Sequence, residues 1–307
     1  MSFFPGIDPQ AGDSQAVDQV EQLIIPRTSD IGGLEVRRAL PSRKRRLVGP
    51  FIFFDRMGPA LFREEQALDV KPHPHIGLST VTYLFDGEIT HRDSLGTGMV
   101  IQPGDVNLMT AGRGIVHSER TPENRRGHPS SISGLQTWLA LPDQSEEIDP
   151  AFLHVGHGEL PVFEEDGVSG RVVIGNFDGM KAPVHTYSDT LYVDLRLGAN
   201  KTYPFSAGAE ERAAYILSGS VNVGGVRFEA DQLLVFHPGD TIDLRGGEAG
   251  CHMMLFGGAA MASKRYVWWN FVSSSKERIE QAKEEWRTGR FDIVPGDEEE
   301  FVPLPAL

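Results

Sequence analysis

The chain has 307 residues, of which 40% are apolar and 23% are charged, and its formal net charge is −14. This length and balance predict a globular protein with about two domains of roughly 150 residues each. The negative charge disfavours direct binding to nucleic acid, since phosphate backbones are repelled. The single cysteine, Cys251, cannot form an intrachain disulfide.

Neither a secretory signal nor a membrane span is predicted. The first residues, MSFFPGIDPQAGDSQ, lack both a basic start and an apolar core. No window approaches the roughly 18 uninterrupted apolar residues that a transmembrane helix needs. We therefore expect a cytoplasmic protein without membrane contact, and we interpret the basic run at residues 43–46 as a solvated loop.

The predicted elements of the first half are short strands. Residues 1–20 are polar and are expected to form a loosely held arm. The 34 glycines and 20 prolines favour many turns over long helices, which indicates an all-β architecture. Asp86-Gly87 is typical of a two-residue hairpin turn. Strands are predicted at residues 21–26, 34–40, 51–55, 78–84, 88–91, 106–109, 115–119 and 134–141.

Two short motifs between Lys71 and Arg120 predict a metal site. One contains His73 and His75, and the other contains His117 and Glu119. In extended chain, residues two apart lie on one face, so the four side chains could converge from two strands. A single histidine on a strand is usually an ordinary core or surface residue, but two such pairs together favour a metal.

The predicted donor set limits the kind of metal. Three imidazoles and one carboxylate suit iron, manganese, cobalt, nickel or zinc. The absence of a thiolate excludes a structural zinc site of the cysteine type. An octahedral ion would keep two open positions, which a substrate and either dioxygen or water would occupy.

An internal repeat predicts a duplicated β-barrel. Residues 83–89, followed by Pro103-Gly104-Asp105, are echoed by residues 215–221, followed by Pro238-Gly239-Asp240. Within the second copy, Ser218-Gly219-Ser220 is predicted to be a turn. Strands are predicted there at residues 190–197, 213–217, 221–223, 226–230, 232–236 and 251–256.

The C-terminal region differs from the rest of the chain. A helix is predicted from about 275 to 288, with Ser274 as its N-cap and Glu277 three residues later. Ile279, Ala282 and Trp286 share one face of it. The acidic segment 296–300 is expected to be solvated and mobile.

Several long motifs resemble the pirin family. They are HPHIGLSTVTYLFDGEITHRDSLGTG, GDVNLMTAGRGIVHSE, GLQTWLALP, the LSGSV and HPGD pair, and the terminal WRTGRF. Pirins are bicupins, so the resemblance implies two cupin barrels in tandem. We assign the first to residues 1–145 and the second, with the terminal helix, to residues 146–307.

The resemblance also implies the ligands. One metal per chain, often iron, would be bound by His73, His75, His117 and Glu119 in the first barrel. The carboxylate of the general cupin pattern is absent, because Ser79 and Thr80 occupy its positions. The second barrel is expected to carry no metal ligands. Its residues 204–208 offer none, and His237 and His252 are isolated.

A function follows from the same resemblance. It implies an oxidoreductase similar to quercetin 2,3-dioxygenases, which would cleave flavonol-like aromatic substrates with O2, Glu119 acting as the catalytic proton acceptor. His91, Gln136 and Trp138 are candidates to line the pocket, although ordinary packing explains each of them equally well. One alternative is a regulatory module that binds a protein partner in a metal-dependent way, as pirin transcription cofactors do. A weaker alternative is a metal-dependent isomerase or hydrolase.

Overall fold

The structure is a computed structural model that describes residues 19–31 and 33–306. The arm predicted over residues 1–20 therefore lies outside the described residues, except for its last two. Strands dominate the described chain, so the all-β prediction is confirmed. None of the described helices has the length and apolar character required to cross a bilayer.

Strands follow one another along nearly the whole described chain. The first twelve are β1 (Val20–Ile24), β2 (Arg27–Ile31), β3 (Leu34–Leu40), β4 (Phe51–Phe62), β5 (Asp69–His75), β6 (Leu78–Asp86), β7 (Ile89–Asp93), β8 (Gly98–Ile101), β9 (Val106–Thr110), β10 (Ile115–Arg120), β11 (Ser130–Ala140) and β12 (Ala151–Val155). They are followed by β13 (Val162–Glu165), β14 (Val168–Ile174), β15 (Asn176–Phe177), β16 (Met180–Lys181), β17 (Thr190–Leu197), β18 (Thr202–Phe205), β19 (Glu211–Val223), β20 (Val226–Glu229), β21 (Leu233–Phe236), β22 (Ile242–Gly258), β23 (Tyr266–Trp268), β24 (Phe271–Ser273) and helix α1 (Lys276–Arg287). Short 3-10 helices lie at Glu123–Arg125, Asp143–Ser145 and His157–Glu159.

The chain divides into two compact units, each assembled from separate segments. The first barrel unit comprises Thr28–Arg38, Phe51–His157 and Met261–Leu307, and the second barrel unit comprises Met1–Arg27, Ala39–Pro50 and Gly158–Ala260. This division differs from the predicted boundary after residue 145, which placed α1 with the C-terminal domain. Helix α1 belongs to the first barrel unit because Ile279 and Ala282 are buried there against Ile76 and Phe271.

Two antiparallel sheets form the first barrel unit. One has the order β5-β10-β7-β8 and the other the order β12-β9-β6-β11-β4-β3-β2. Large apolar side chains from both sheets make one cluster, and each buried side chain of this kind contributes roughly 1.5–3 kcal/mol to stability. The cluster consists of Leu34, Val36, Met57, Phe62, Leu68, Leu84, Ile89, Ile101 and Ile132.

The turn at Asp86-Gly87 is not the predicted hairpin. Strand β6 pairs with β9 and β11, whereas β7 pairs with β8 and β10. The turn therefore carries the chain from one sheet to the other. Gly87 has a φ of 84°, and a Cβ there would lie 2.2 Å from the carbonyl oxygen of Ser131. Glycine is thus required both by conformation and by the close approach of backbone.

The corresponding glycine in the second copy, Gly219, lies at a β-bulge. Strand β19 runs without interruption through Gly219, so the predicted turn at Ser218-Gly219-Ser220 is wrong. Its pairing with β22 shifts register between Gly219 and Val221, and Gly219 has a φ of 73°. A bulge bends a strand without ending it, which is why the same sequence signal produces two different structures.

The second barrel unit is built on one nine-stranded sheet. Its order is β1-β21-β19-β22-β17-β14-β13, with β18 on β22 and β20 on β19. Strand β1 adds the chain's N-terminal segment to this sheet by pairing with β21. Buried Arg212 binds the turn that contains Pro238, and it donates hydrogen bonds to the backbone carbonyls of Phe205, Ser206, His237, Gly239 and Asp240.

Helix α1 begins one residue later than predicted. Its N-cap is Ser275, whose Oγ accepts a hydrogen bond from the backbone N–H of Arg278 at 3.2 Å. The N–H of Ser274 instead donates to the buried carboxylate of Glu146 at 2.8 Å. Glu146 also lies 3.0 Å from the guanidinium of Arg265, which is itself buried. The N-cap is therefore Ser275 and not Ser274, because Ser274 is bound by the buried ion pair of Glu146 and Arg265.

The acidic C-terminal segment makes specific contacts that the sequence did not predict, although residues 296 and 298–300 are exposed as expected. Arg120 donates to both carboxylate oxygens of Asp297, at 2.7 and 2.8 Å. The ammonium of Lys71 lies 2.8 Å from Glu300. The N–H of Val302 donates to the carbonyl of Pro72 at 2.8 Å. Lys71, Pro72 and Arg120 belong to β5 and β10, and we call residues 296–302 the tail strap.

We expect Arg120→Gln to release the tail strap. Asp297 would lose the guanidinium that contacts both of its oxygens, and the free energy of unfolding should fall by about 1–3 kcal/mol. Urea unfolding and hydrogen exchange of residues 296–306 measure the two effects. Arg126→Gln is the matched control, because Arg126 pairs with Asp69 and Glu123. Equal exchange in both variants would contradict the assignment.

The tail strap should also loosen in acid. Partial burial raises the pKa of Asp297, but the hydrogen bonds and the charge of Arg120 lower it by more, so the pKa lies below its ordinary value of 3.8. A carboxylate with a lowered folded-state pKa stabilises the fold above its unfolded-state pKa and stops doing so as pH falls through the folded one. Exchange of the Val302 amide should therefore accelerate only below about pH 4. Acceleration already at pH 5 to 6 would point to another group.

Candidate metal centre

The pairing of β5 with β10 assembles three histidines. The strands are antiparallel, with His117 opposite His73 and Ile115 opposite His75. Because side chains alternate along a strand, His73, His75 and His117 point to the same face. Their ligating nitrogens all lie within 4.8 Å of one another, and Nε2 of His75 is 3.0 Å from Nε2 of His117. Among the described residues, no other three histidine, cysteine or acidic side chains meet in this way.

Burial keeps these imidazoles in the form that binds a metal. His73 is 8% exposed, and His75 and His117 are each 1% exposed. Burial lowers the pKa of His73 to about 4. Burial, together with the neighbouring imidazoles, also holds the pKa values of His75 and His117 well below 6.5. Neutral imidazole is the ligating form, so the three side chains need lose no proton to bind a divalent ion.

The hydrogen bond of His73 fixes which nitrogen it offers. Its Nδ1 lies 2.8 Å from the carbonyl oxygen of Lys71, so Nδ1–H donates and the lone pair of Nε2 stays free. A backbone carbonyl in this role is typical of metal-binding histidines. The donor set therefore fits a divalent transition metal.

Glu119 lies beside the histidines but outside their group. In the pairing of β10 with β5, His117 lies opposite His73 and Glu119 lies opposite Val70. One residue separates the pair on β10 and two separate it on β5, so β5 carries one extra residue. The Glu119 carboxylate accepts a hydrogen bond from Nε2 of Gln136 at 3.3 Å. The structure thus unites three of the four predicted ligands, and the role of Glu119 as a fourth ligand stays a prediction.

The environment of Glu119 favours a proton-accepting role. Burial raises its pKa above the ordinary value, and this is only partly offset by His91, Gln136 and Thr82. Glu119, Gln136 and His73 are 8–9% exposed, whereas the two other histidines are at 1%. Glu119, Gln136 and His73 therefore form the more exposed side of the site.

Strand β11 supplies the wall opposite the histidines. Gln136 pairs across the sheet with Thr82, whose hydroxyl donates to the Gln136 amide oxygen at 2.7 Å. Trp138 contacts His75 edge to face at 5.2 Å and stacks on Phe53 at 4.0 Å. Gln136 and Trp138 were candidates from sequence, and both lie at the site. Thr82 and Phe53 were missed, although alternation from Gln136 and Trp138 predicts their faces once the strand pairing is known.

His91 contacts the histidine group without belonging to it. Its Nε2 lies 2.9 Å from the carboxylate of Asp93, and its Nδ1 lies 3.5 Å from Nδ1 of His117. Both residues are buried on β7. Asp93 was not among the residues predicted from sequence, although the His-x-Asp spacing is a signal that could have found this pair.

The isolated histidines of the second barrel unit have other partners. His252 pairs with the carboxylate of Asp194 at 2.7 Å. The backbone carbonyl of His237 accepts a hydrogen bond from Arg212. Phe205, in the segment that corresponds to the first histidine motif, is a buried apolar residue.

Two antiparallel β units, one with buried histidines on adjacent strands, define a tandem cupin protein. Residues 33–139 match the Pirin family and residues 192–292 match the Pirin C-terminal cupin domain. The bicupin prediction is therefore confirmed. The chain belongs to the pirin family.

Relatives cover nearly the whole chain. A pirin-like protein of Caulobacter vibrioides is 49% identical over 282 residues, which span 91% of this chain and 97% of the relative. The crystal structure of a quercetin 2,3-dioxygenase from Acinetobacter baumannii is 34% identical, with a TM-score of 0.86 over 93% of this chain and 95% of that one. The bacterial pirin YhhW of Escherichia coli, solved in complex with nickel(II), is 18% identical and shares the fold, with a TM-score of 0.61 over 78% of this chain and 99% of that one.

We expect Gln136→Leu to destabilise the protein. The change removes the amide that joins Thr82 to Glu119 and leaves buried polar atoms with fewer partners, so the free energy of unfolding should fall by about 1–3 kcal/mol. Urea unfolding measures this. Thr137→Val is the matched control, because Thr137 is the next residue on β11 and faces the other side of the strand. A loss in the control as large as in Gln136→Leu would contradict the explanation.

Proposed function

We propose that this protein is a metal-dependent dioxygenase that cleaves flavonol-like aromatic substrates with O2. The observation that carries the proposal is the group of three buried, neutral imidazoles within 4.8 Å, with an adjacent carboxylate whose pKa is raised. Similarity to the quercetin 2,3-dioxygenase of Acinetobacter baumannii supports the substrate class. We also propose a cytoplasmic location, in keeping with a single, buried cysteine.

His73, His75 and His117 would hold one metal per chain. Iron is our first choice, and manganese, nickel, cobalt and zinc accept the same donors. The nickel(II) complex of the Escherichia coli relative keeps nickel among these candidates. When bound, the metal would supply Lewis-acid and redox chemistry at this position.

The chain's own residues would then act on the substrate. Glu119 would accept the proton of the substrate hydroxyl. Its pKa is raised towards neutral pH, which makes the carboxylate a stronger base. Gln136, fixed by Thr82, would orient the Glu119 carboxylate. Trp138, stacked on Phe53, contributes an aromatic ring beside His75, which would favour an aromatic substrate on that side of the site.

Oxygen uptake by protein of known metal content tests the proposal. We expect uptake with a panel of flavonols and loss of both bound metal and uptake in His117→Ala. His185→Ala is the matched control, because His185 is an exposed histidine of the second barrel unit and should behave like the wild type. Each metal is restored separately before the measurement, so that the reactive one is identified.

Glu119→Gln separates catalysis from metal binding. If Glu119 is the proton acceptor, kcat should fall by about 10²–10³-fold while the three histidines retain the metal. Loss of the metal would instead assign Glu119 as an essential ligand. Metal-loaded wild-type protein that consumes no oxygen with any flavonol would contradict the dioxygenase and favour a metal-dependent binding module, whose partner affinity should change with the oxidation state of the metal.

A further inference from the structure

A buried chain of hydrogen-bonding groups leads away from His117. Strand β7 lies beside β10, with Asp93 opposite His117 and His91 opposite Glu119. Nδ1 of His91 lies 3.5 Å from Nδ1 of His117, and Nε2 of His91 lies 2.9 Å from Asp93. All three residues are at most 3% exposed, so water does not compete for these contacts.

Asp93 is held in place by backbone. One of its oxygens accepts hydrogen bonds from the N–H groups of Leu95 at 2.9 Å and Thr97 at 3.1 Å, and the other faces His91. Burial raises the pKa of Asp93, but its hydrogen bond to His91 and the hydrogen bonds from Thr97 hold it below its ordinary value. Asp93 is therefore a fixed, charged acceptor, and the proton between it and His91 resides on Nε2 of His91.

The position of this proton determines which nitrogen of His91 can accept a hydrogen bond from His117. With Nε2 protonated, a neutral imidazole has its lone pair on Nδ1. That lone pair faces Nδ1 of His117, so it can accept the Nδ1–H of His117 and leave Nε2 of His117 unprotonated. Nε2 of His117 is the atom that lies 3.0 Å from Nε2 of His75, inside the histidine group.

We propose that His91 and Asp93 are positioning residues of the metal centre, which fix the tautomer and ring orientation of His117 through the chain Asp93–His91–His117. This inference rests on the metal site of the proposed function. The arrangement extends the carboxylate–histidine–metal pattern, in which the acceptor behind a ligand orients it, by one additional imidazole. The ring of Phe152, stacked on His91 at 4.7 Å, holds that imidazole in plane.

The binding of cobalt(II) and zinc(II), measured by competition with a chromophoric chelator, tests the proposal. His91→Phe keeps a ring against Phe152 but has no acceptor, so metal affinity should fall about 10–100-fold. His91→Gln should restore most of the affinity, since an amide can accept from His117 and donate to Asp93. His252→Phe is the matched control: it removes a His–Asp pair of 2.7 Å from the second barrel unit and should leave the affinity unchanged.

Asp93→Asn tests the direction of the proton. An asparagine amide can donate to Nε2 of His91, so the proton of the neutral His91 ring lies on Nδ1. That N–H then faces the Nδ1–H of His117, and two donors form no hydrogen bond. Metal affinity should therefore fall as in His91→Phe, although the shape of the side chain is retained.

Proton NMR of the cobalt(II) form supplies a signature that a merely structural role would not change. The Nδ1–H of His117 should give a shifted, slowly exchanging resonance in the wild type and in His91→Gln, and it should exchange rapidly in His91→Phe. Unchanged affinity and an unchanged resonance in His91→Phe would overturn the inference. So would equal losses in His91→Phe and His91→Gln. If the wild type itself binds no metal, the proposed metal site fails. If the wild type binds metal but the His91 variants bind it equally well, only the role of His91 and Asp93 fails.

Discussion

The antiparallel register of β5 and β10 is the constraint on which the candidate site depends. It places His117 opposite His73 and next to His75, so two strands supply three imidazoles without any loop contribution. A slip of one residue would turn a strand's side chains to the other face and separate the histidines. The tail strap contacts Lys71, Pro72 and Arg120, residues that flank the histidines and Glu119 on the same two strands. The C-terminal segment thus contacts both of the strands whose register the site requires.

The extra residue in β5 separates two kinds of chemistry. It shifts the partner of Glu119 from Lys71 to Val70, and the carboxylate lies against Gln136 rather than among the imidazoles. The histidines are thereby grouped as a donor set, while the Glu119 carboxylate is bound by the Gln136 amide. A proline, Pro72, lies in the shifted stretch, and proline within sheets is typically found at such bulges.

Sequence was sufficient for features that depend on local periodicity. The alternation around His73, His75 and His117 predicted their convergence, and the strand and turn signals predicted an all-β duplicated fold. Features that depend on pairing partners were not predictable in this way. Asp86-Gly87 has the composition of a hairpin, yet the strands that follow it pair elsewhere. Ser274 has capping-box spacing, yet the buried Glu146 binds its N–H and the cap falls on Ser275.

Neither the position of Glu119 nor the contacts of the acidic tail could be predicted from the sequence, and the reason is related. The bulge that moves Glu119 away from its expected neighbour lies on the partner strand β5, so the sequence around Glu119 itself does not indicate it. An acidic run such as residues 296–300 is usually solvated, and only the three-dimensional placement of Lys71 and Arg120 gives it partners.

The tail strap has a practical consequence for handling the protein. A polyhistidine extension fused after Leu307 would follow closely on Val302, whose N–H is bonded to the residue that precedes His73. Imidazoles added there would be additional ligands for any ion offered to the candidate metal centre and would raise the metal count. A removable tag at the other end of the chain avoids this, and any metal stoichiometry is best measured on such material.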